Sequence, residues 1–347
     1  MHVAVHIVTW SNMKTIGEAL SSLLAQTYKN MSILIVDNGS TDGTLDFIKK
    51  EFPEVHLLRN FKNLGFARAH NQAIEFTEHR ATSRGDDETA VLVANPDIVL
   101  EPNCVEELVA ALMRHPEAAG AGPKLLRLKK EENPDSGFRD SIKTDIIDSA
   151  GLNIWKSRRI TDKGSGETDR GQYAREEEVF GISGALVLYR LRALHAVSGR
   201  QGFFDDDFFA YKEDVDISWR MRRAGFSFWY APAAVAYHIR GTGGAEARGV
   251  LKAISERSSR TALVRELSAR NHWLTIFKND SLINVILHLP YFLPYEIGKS
   301  VYFAVREPKT FLALLSSLKY APKIFWERAF GRGSARVSAK EIRKWFI

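Results

Sequence analysis

Short apolar runs alternate with amphipathic stretches along the first third of the chain. The apolar runs have the length and the β-branched content of buried strands, and they occupy residues 3–10, 32–38, 55–60 and 91–95. The amphipathic stretches carry apolar residues at helical spacing, and they occupy residues 16–26, 43–50, 64–77 and 102–114. This order predicts an α/β fold with a mostly parallel sheet that helices cover on both faces.

Beyond the fourth predicted strand the pattern is less regular. Residues 127–178 are polar and contain several glycines, which predicts excursions or hairpins. The apolar run at 180–190 predicts a strand or a buried segment, and the run at 226–238 predicts one or two further strands. Between them, residues 206–224 predict a loop that enters a helix. From about residue 245 the spacing is helical, with aromatic and basic residues interleaved. We therefore divide the chain into an α/β domain over 1–240 and a C-terminal helical region over 241–347.

Composition limits the environment in which the chain works. Its 347 residues include one cysteine, Cys104, which excludes an intramolecular disulfide and a cysteine-built zinc site. The chain opens directly into an apolar strand without a basic leader, and no uninterrupted apolar run is long enough to span a bilayer. These features favour a cytoplasmic protein.

Charge is unevenly distributed. Residues 240–347 hold 19 Lys and Arg against 8 Asp and Glu, a net charge of +11, whereas residues 1–239 have a net charge of −5. A basic rear part indicates an anionic partner, either nucleic acid or an acidic membrane surface. The aromatic-rich, proline-interrupted segment 281–330 suits helices that lie in a membrane interface. A helical cap on the core or a homodimer contact is the equal alternative.

Candidate substrate-binding residues cluster where the first two strands end. Thr9 and Trp10 end the first strand, and Asp37 ends the second. Because parallel strands end at the same edge of a sheet, we expect a mononucleotide crevice here, with Asp37 accepting from a nucleobase N–H or a ribose hydroxyl. Ser40 and Asp42 are instead typical of a turn and a helix cap.

A glycine turn precedes the third predicted helix. Gly65 lies just before its start, where backbone N–H groups are suited to phosphate. Two interpretations of Arg68 are equal: it binds a pyrophosphate, or it lies on a solvated face of the helix. The segment matches neither GxGxxG nor GxxxxGK[ST], so dinucleotide and P-loop sites are disfavoured.

A metal-binding acid is predicted at Asp97, shortly after the fourth strand. Its hard oxygen donors, without a cysteine cluster or an HExxH motif nearby, favour Mg²⁺ or Mn²⁺ bridging the carboxylate to substrate phosphates. His238, at the end of a later strand, could add an imidazole ligand, which suits Mn²⁺ better than Mg²⁺. A structural histidine is the alternative.

Acids and aromatic side chains come together in FFAYKEDVDISWR at 208–220. Carboxylates that repel one another in an apolar setting can reach the pKa of a general base. We expect Glu213 or Asp214 to be that base. Asp216 is expected to cap the following helix and to pair with its arginines.

Together these motifs resemble the inverting GT-A glycosyltransferases of family 2, and within them the bacterial rhamnosyltransferase-like branch. The resemblance covers roughly residues 3–275 and rests on the order of IVTW, VDNGSTDGT, NLGFARAHNQAI, ANPDIVL, DSAGL, GISGALVLYR, GFFDDDFFAYKEDVDISWRMRRAG and VAYH. The chain departs from the family at Asn95, which replaces the first acid of the usual DxD element, and at Trp10, where Tyr or Phe is frequent. The QxxRW signature of processive polysaccharide synthases is absent.

The resemblance implies a GT-A (Rossmann-like) fold and a role for each motif. Implied nucleoside and donor contacts fall at Thr9, Trp10, Asp37, Asn63, Gly65, Arg68, Asn71 and Asn95. The other implied site residues are the metal ligands Asp97 and His238, the base Asp214 with Glu213 beside it, and the acceptor contacts Gly184 and Trp219.

The implied reaction moves a sugar, with inversion, from a nucleotide-sugar donor to a saccharide acceptor in bacterial surface polysaccharide synthesis. dTDP-rhamnose is the expected donor and a UDP-sugar the alternative. A polyprenyl-diphosphate-linked acceptor would place the enzyme peripherally on the inner face of the plasma membrane. A sugar-nucleotide nucleotidyltransferase is disfavoured because the early lysine-bearing glycine loop is missing. A non-enzymatic nucleic-acid-binding protein leaves the strand-end carboxylates unexplained, so no nucleic-acid partner is expected.

Overall fold

The computed structural model describes residues 1–84, 88–132, 139–199, 202–239, 261–330 and 336–347. The strands are β1 (His2–Thr9), β2 (Met31–Asp37), β3 (His56–Arg59), β4 (Thr89–Ala94), β5 (Ile98–Leu100), β6 (Ala118–Glu132), β7 (Arg139–Ser149), β8 (Leu152–Ile154), β9 (Ile160–Asp162), β10 (Glu177–Glu178), β11 (Leu186–Arg190) and β12 (Ser227–His238). The helices are α1 (Ile16–Leu24), α2 (Thr44–Glu51), α3 (Phe66–Arg84), α4 (Cys104–Arg114), α5 (Leu191–Val197), α6 (Glu213–Arg223), α7 (Ala262–Asn279), α8 (Leu282–Leu287), α9 (Leu289–Arg306), α10 (Pro308–Ser316), α11 (Ala321–Phe330) and α12 (Ala339–Arg343). The predicted boundary at 240/241 lies outside the described residues.

A central mixed sheet has the strand order β10-β12-β6-β11-β4-β1-β2-β3. β3, β2, β1 and β4 run parallel to one another, which confirms the parallel core predicted from the sequence. β11 runs antiparallel between β4 and β6, and β12 is again parallel to β6. The register aligns Thr9 with Asp37 and Ile7 with Ala94, so β1, β2 and β4 end at one edge of the sheet.

Helices cover both faces of the sheet. Successive side chains of the buried strand β4 show this, because they point alternately into two different core clusters. Leu92 and Ala94 belong to a core cluster that includes residues of α1 and α4. Val91 and Val93 face the opposite cluster, which includes residues of α3, α5 and α6. A strand that is buried on both faces needs a continuous apolar run, and TAVLVA supplies one.

The less regular middle of the chain adds antiparallel hairpins. β6 pairs with β7, and β8 pairs with β9, within the segment that the sequence predicts to form excursions or hairpins. The apolar run at 180–190 is a strand only from Leu186 onward. The run at 226–238 forms one strand, β12, whose pairing with β6 shifts register between Ala231 and Val235.

The described part of the C-terminal region is mainly helical. α7 packs against α6, α10 packs against α7, and α9 packs against α10. In the ranges of the chain that the structure describes, no helix is both long enough and apolar enough to cross a bilayer.

Candidate active site

The ends of β1 and β2 form one side of the site. Asp37 is fully buried, and its Oδ1 accepts the backbone N–H of Ser40 at 3.2 Å. Its Oδ2 has no hydrogen-bond partner among the described residues. Thr9 lies beside Asp37 in register, and Trp10 is 54% exposed. Because a buried carboxylate oxygen without a partner is costly, this edge is suited to a ligand that brings an N–H or O–H donor.

The turn after β3 is shaped by two asparagines. The Nδ2 of buried Asn38 donates to Asn63 Oδ1 at 2.9 Å and to the carbonyl of Gly65 at 3.2 Å. Asn63 Oδ1 also accepts the backbone N–H of Gly65 at 2.8 Å. The side-chain oxygen of Asn63 therefore holds the turn, and its contact with the donor stays a prediction.

Gly65 brings the loop that precedes α6 against the start of α3. Its φ is +85°, and a Cβ there would lie 2.5 Å from the carbonyl oxygen of Phe209. Both the left-handed backbone and the close approach require glycine. α3 begins at the next residue, Phe66, and Arg68 in its first turn is exposed toward solvent.

Asn71, one turn further along α3, fastens the same loop. Its Nδ2 donates to the carbonyl of Phe204 at 2.8 Å and to Asp206 Oδ1 at 3.0 Å, and its Oδ1 accepts the Phe204 N–H at 2.9 Å. Asn71 therefore has a structural role within the protein, and its contact with the donor stays a prediction.

Asp97 and His238 meet where β5 pairs with the end of β12. His238 is aligned with Ile98, the residue after Asp97, and the Nε2 of His238 lies 3.5 Å from Asp97 Oδ1. The Nδ1 of His238 lies 2.9 Å from Asp148 Oδ2. Burial would lower the pKa of His238, but Asp148 and Asp97 oppose it and raise the pKa to about 10.

This donor set fits a hard divalent ion. Asp97 Oδ1 is buried without a hydrogen bond from the described residues, and His238 Nε2 beside it would become a ligand once a bound ion displaced its proton. Asp148 holds the other ring nitrogen, which is the usual arrangement behind a metal-bound histidine. No group of three or more His, Cys, Asp or Glu side chains suited to a metal occurs within the described ranges. Phosphate oxygens of a substrate would therefore complete the coordination.

Asp214 projects from the first turn of α6 and is held by the backbone of another element. Its Oδ2 accepts the N–H of Gly184 at 3.0 Å. The carbonyl of the next residue, Ala185, accepts the N–H of Asn95 at 2.9 Å. Gly184 thus connects the Asp214 carboxylate to the segment that carries Asp97, and its contact with an acceptor stays a prediction. Burial raises the pKa of Asp214 even though the Gly184 N–H stabilises its anion.

Glu213 lies beside Asp214 in a less polar setting. It is buried, and its Oε2 has no hydrogen-bond partner in the described part of the chain. Burial, followed by the nearby negative charge of Asp214, raises the pKa of Glu213 to about 8. The two neighbouring acids have different surroundings, because only Asp214 receives a backbone N–H from Gly184.

Two other residues of α6 are structural. Asp216 is fully buried, with Oδ2 accepting from Arg220 Nε and Oδ1 accepting from Asn279 Nδ2, both at 2.7 Å. This confirms the predicted arginine pair. Trp219 is fully buried and packs edge-on against Phe180 and Phe346. The expected acceptor contact of Trp219 is corrected, because an acceptor cannot reach a ring inside the core.

Helix α7 holds the loop 203–212 in place. The sequence did not predict the contacts between this helix and the loop. Asn271 Nδ2 lies 2.7–2.8 Å from the carbonyl oxygens of Phe208, Ala210 and Tyr211. Lys278 pairs with two further acids of the loop, Asp205 and Asp207. Lysine and asparagine on a helix are ordinary in sequence, so only the folded chain shows these contacts.

The fold places the chain in the GT-A class. Its structure is similar to that of GalNAc-T7, solved with UDP, GalNAc and Mn²⁺, with a TM-score of 0.59 and 14% identity over 96% of this chain and 58% of that chain. S. aureus TarS 1–349 gives a TM-score of 0.52 and 15% identity over 99% of this chain and 92% of that chain.

Sequence comparison identifies the family. The profile of glycosyl transferase family 2 matches residues 4–198. N-acetylglucosaminyl-diphospho-decaprenol L-rhamnosyltransferase of Mycobacterium tuberculosis is 31% identical over 233 residues, 67% of this chain and 74% of that protein. Poly-beta-1,6-N-acetyl-D-glucosamine synthase of Staphylococcus aureus is 25% identical over 67% of this chain and 48% of that protein. The chain belongs to glycosyl transferase family 2 and is a glycosyltransferase.

Proposed function

We propose that this glycosyltransferase moves rhamnose from a nucleotide-activated donor, dTDP-rhamnose, to a lipid-linked saccharide in surface polysaccharide synthesis, with inversion at the anomeric carbon. The observation that carries the proposal is the link from Asp214 through Gly184 and Ala185 to Asn95, two residues before Asp97. This link joins Asp214, whose pKa is raised, to Asp97, whose carboxylate is suited to a metal ion that binds the donor diphosphate.

In this mechanism Asp214 is the general base. Its carboxylate removes the proton of the acceptor hydroxyl while that oxygen forms a bond to the anomeric carbon, and the bond to the nucleotide diphosphate breaks on the opposite side. The Gly184 N–H fixes the orientation of the carboxylate. Because the base must be ionised, transfer should increase as the pH rises through the raised pKa of Asp214.

Asp37, Trp10, Asp97 and His238 would bind the donor. Asp37 Oδ2 is available for a nucleobase N–H, and the exposed ring of Trp10 is available for stacking. Asp97 and His238 would hold Mg²⁺ or Mn²⁺, which when bound neutralises the departing diphosphate. The Mn²⁺ of the GalNAc-T7 structure supports a divalent ion at such a site.

Donor and acceptor are proposed from the relatives. The mycobacterial relative is a rhamnosyltransferase with a decaprenyl-diphosphate-linked substrate in its name, which supports both rhamnose and a lipid-linked acceptor. UDP in the GalNAc-T7 structure keeps a UDP-sugar donor as the second candidate. A lipid-linked acceptor would place the enzyme at the inner face of the plasma membrane.

A donor screen combined with Asp214→Asn tests this proposal. Release of nucleotide diphosphate is measured with dTDP-rhamnose, UDP-GlcNAc and GDP-mannose, with and without Mn²⁺ or Mg²⁺. We expect dTDP-rhamnose to be preferred, and Asp214→Asn to lower turnover by about 10²–10⁴-fold, the usual contribution of a general base, while nucleotide still binds in calorimetry. Asp46→Asn, on the exposed side of α2, is the matched control. Near-normal turnover in Asp214→Asn removes this residue from the role of base, and a preferred UDP-sugar overturns the rhamnose assignment.

A further inference from the structure

The C-terminal helices α8 and α9 expose apolar side chains over most of their length. In α9, every fourth residue from Leu289 to Val305 is apolar and exposed: Leu289, Leu293, Ile297, Val301 and Val305, between 39% and 73%. Leu282 and Ile286 of α8 are exposed by 73% and 55%. We call the exposed apolar residues of 282–305 the apolar face. A contiguous exposed surface of this kind marks an interaction site.

These helices expose apolar side chains and bury polar ones, which is not expected of helices next to water. In α8 the buried residue is Asn284, whose side chain contacts the Ala339 carbonyl and Arg343. In α9 the charged residue Glu296 is buried, where it bonds to His272 at 2.8 Å and to Lys299 at 2.7 Å. A water-facing helix places its polar residues outside. Here the protein side of the two helices receives the polar residues Asn284 and Glu296 beside Phe292 and Phe303, while leucine, isoleucine and valine face outward.

The exposed charges of the segment 282–328 have one sign. Between residues 282 and 328, the exposed charged side chains are Arg306, Lys309, Lys319 and Arg328. The acids of the same segment are buried or half-buried, as with Glu296. An exposed apolar surface in a segment whose exposed charges are all positive matches the interface of a membrane with anionic lipids.

We propose that the apolar face docks the enzyme on an anionic lipid bilayer, with its helices lying in the interface. The described helices are too short or too polar to span, which agrees with interfacial binding. Anionic lipid supplies the charge opposite to Arg306 and Lys309, and pairing with a second copy of the chain is an outcome that the test distinguishes.

Docking would also orient the loop 203–212, which leads to Asp214. α9 packs on α10, and α10 packs on α7, whose Asn271 and Lys278 hold the loop 203–212 before Asp214. The docking surface and the base therefore belong to one packed unit, so an acceptor anchored in the same bilayer would approach a site of fixed orientation. The membrane proposal itself does not depend on which sugar is transferred.

Vesicle co-sedimentation of the full chain tests the proposal. Vesicles of phosphatidylcholine alone are compared with vesicles that contain phosphatidylglycerol. We expect wild type to pellet with the anionic vesicles, and Leu293→Glu/Ile297→Glu to bind at least about tenfold more weakly, because two apolar side chains no longer enter the interface. Met113→Glu/Ile142→Glu, also at exposed apolar positions but outside the C-terminal helices, should bind like wild type.

A charge-reversal variant separates lipid charge from apolar contact. Lys309→Glu/Lys319→Glu should weaken binding to anionic vesicles and reduce its sensitivity to salt, and it should leave any weak binding to neutral vesicles unchanged. Circular dichroism and the melting temperature establish that each variant is folded. Equal pelleting of wild type and Leu293→Glu/Ile297→Glu overturns the proposal. So does a lipid-free dimer, seen by analytical ultracentrifugation, that the same variant dissociates.

Discussion

At the scale of single residues, the acids at the start of α6 perform different tasks although they adjoin in sequence. Asp214 receives the Gly184 N–H, whereas Glu213 is buried with a raised pKa of about 8. A carboxyl whose pKa is higher in the folded than in the unfolded chain binds its proton more tightly when folded. Its contribution to stability is therefore present below the ordinary pKa of 4.5 and is lost as the pH rises toward about 8.

Glu213→Gln should remove the loss of stability that wild type shows as the pH rises. We expect the melting temperature of wild type to decline between about pH 5.5 and pH 8.5, and that of Glu213→Gln to decline less, because the amide carries no charge to bury. The comparison is made by thermal unfolding at several pH values. Asp169→Asn is the control, since the hydrogen bond from Lys124 lowers the pKa of Asp169 and its contribution is constant over this range. Parallel curves for wild type and Glu213→Gln would contradict the assignment.

Asp148 is a residue whose role the sequence did not assign. It is nearly fully buried and lies 2.9 Å from His238 Nδ1, although 90 positions separate the two residues. The DSAGL segment marks Asp148 as part of a motif, but a pattern cannot show which partner a long-range contact will supply. Asp97 and His238, in contrast, could be predicted because each lies at a strand end.

Asp148→Asn should weaken divalent-metal binding about 10- to 100-fold, the usual effect of removing the acid behind a metal-bound histidine. Calorimetric titration of the chain with Mn²⁺ in the presence of nucleotide measures this directly. Asp145→Asn, an exposed position on the same strand, is expected to bind like wild type. If Asp148→Asn and Asp145→Asn give equal affinities, Asp148 does not support the metal site.

At the scale of elements, the loop 203–212 joins the catalytic helix to the rest of the site. Phe209, Tyr211 and Lys212 have φ angles of 62°, 71° and 72°, a conformation that residues other than glycine adopt at a cost. The contacts from Asn271 and Lys278 offset that cost. α7 therefore positions the loop that leads to Asp214, the proposed base, and also covers the core.

Asn271→Ala should lower kcat about tenfold or more while changing nucleotide affinity little, because the loop that leads to Asp214 loses its side-chain donor and the donor-side strand ends remain intact. Steady-state kinetics and nucleotide calorimetry on the same preparation distinguish these quantities. Asn103→Ala, an exposed position before α4, serves as the control. Equal losses of kcat and of nucleotide affinity would indicate general disruption instead of loop positioning.

Local patterns predicted the elements better than their arrangement. The strand runs and helical spacing at 3–51 correspond to β1, α1, β2 and α2, because each is set by burial along a short segment. The antiparallel insertion of β11 between β4 and β6 and the attachment of α7 to the loop depend on contacts between distant residues. Those contacts carry no periodic signal, so they emerged only from the folded chain.

At the scale of the whole molecule, one buried ion pair connects the C-terminal helices to the α/β part. Arg158 is fully buried, and its Nε donates to Asp280 Oδ2 at 2.7 Å, just after α7. Its Nη1 lies 2.8 Å from His288 Nδ1, and its guanidinium lies over the ring of Phe346. Burial and the Arg158 charge lower the pKa of His288 to about 4, so this histidine is neutral and accepts the hydrogen bond.

Arg158→Met should destabilise the whole chain, because it leaves the Asp280 carboxylate buried without its cation. Breaking a buried pair in this way costs about 3–5 kcal/mol. Arg158→Met/Asp280→Leu should recover part of that loss, since no charge then remains to be buried. Denaturant unfolding, followed by the tryptophan fluorescence of both regions, measures the effect, and Lys50→Met at an exposed pair should leave the transition unchanged. If the C-terminal helices and the α/β part unfold together in wild type but separately in Arg158→Met, the pair couples them. An unchanged single transition would show that apolar packing alone is sufficient.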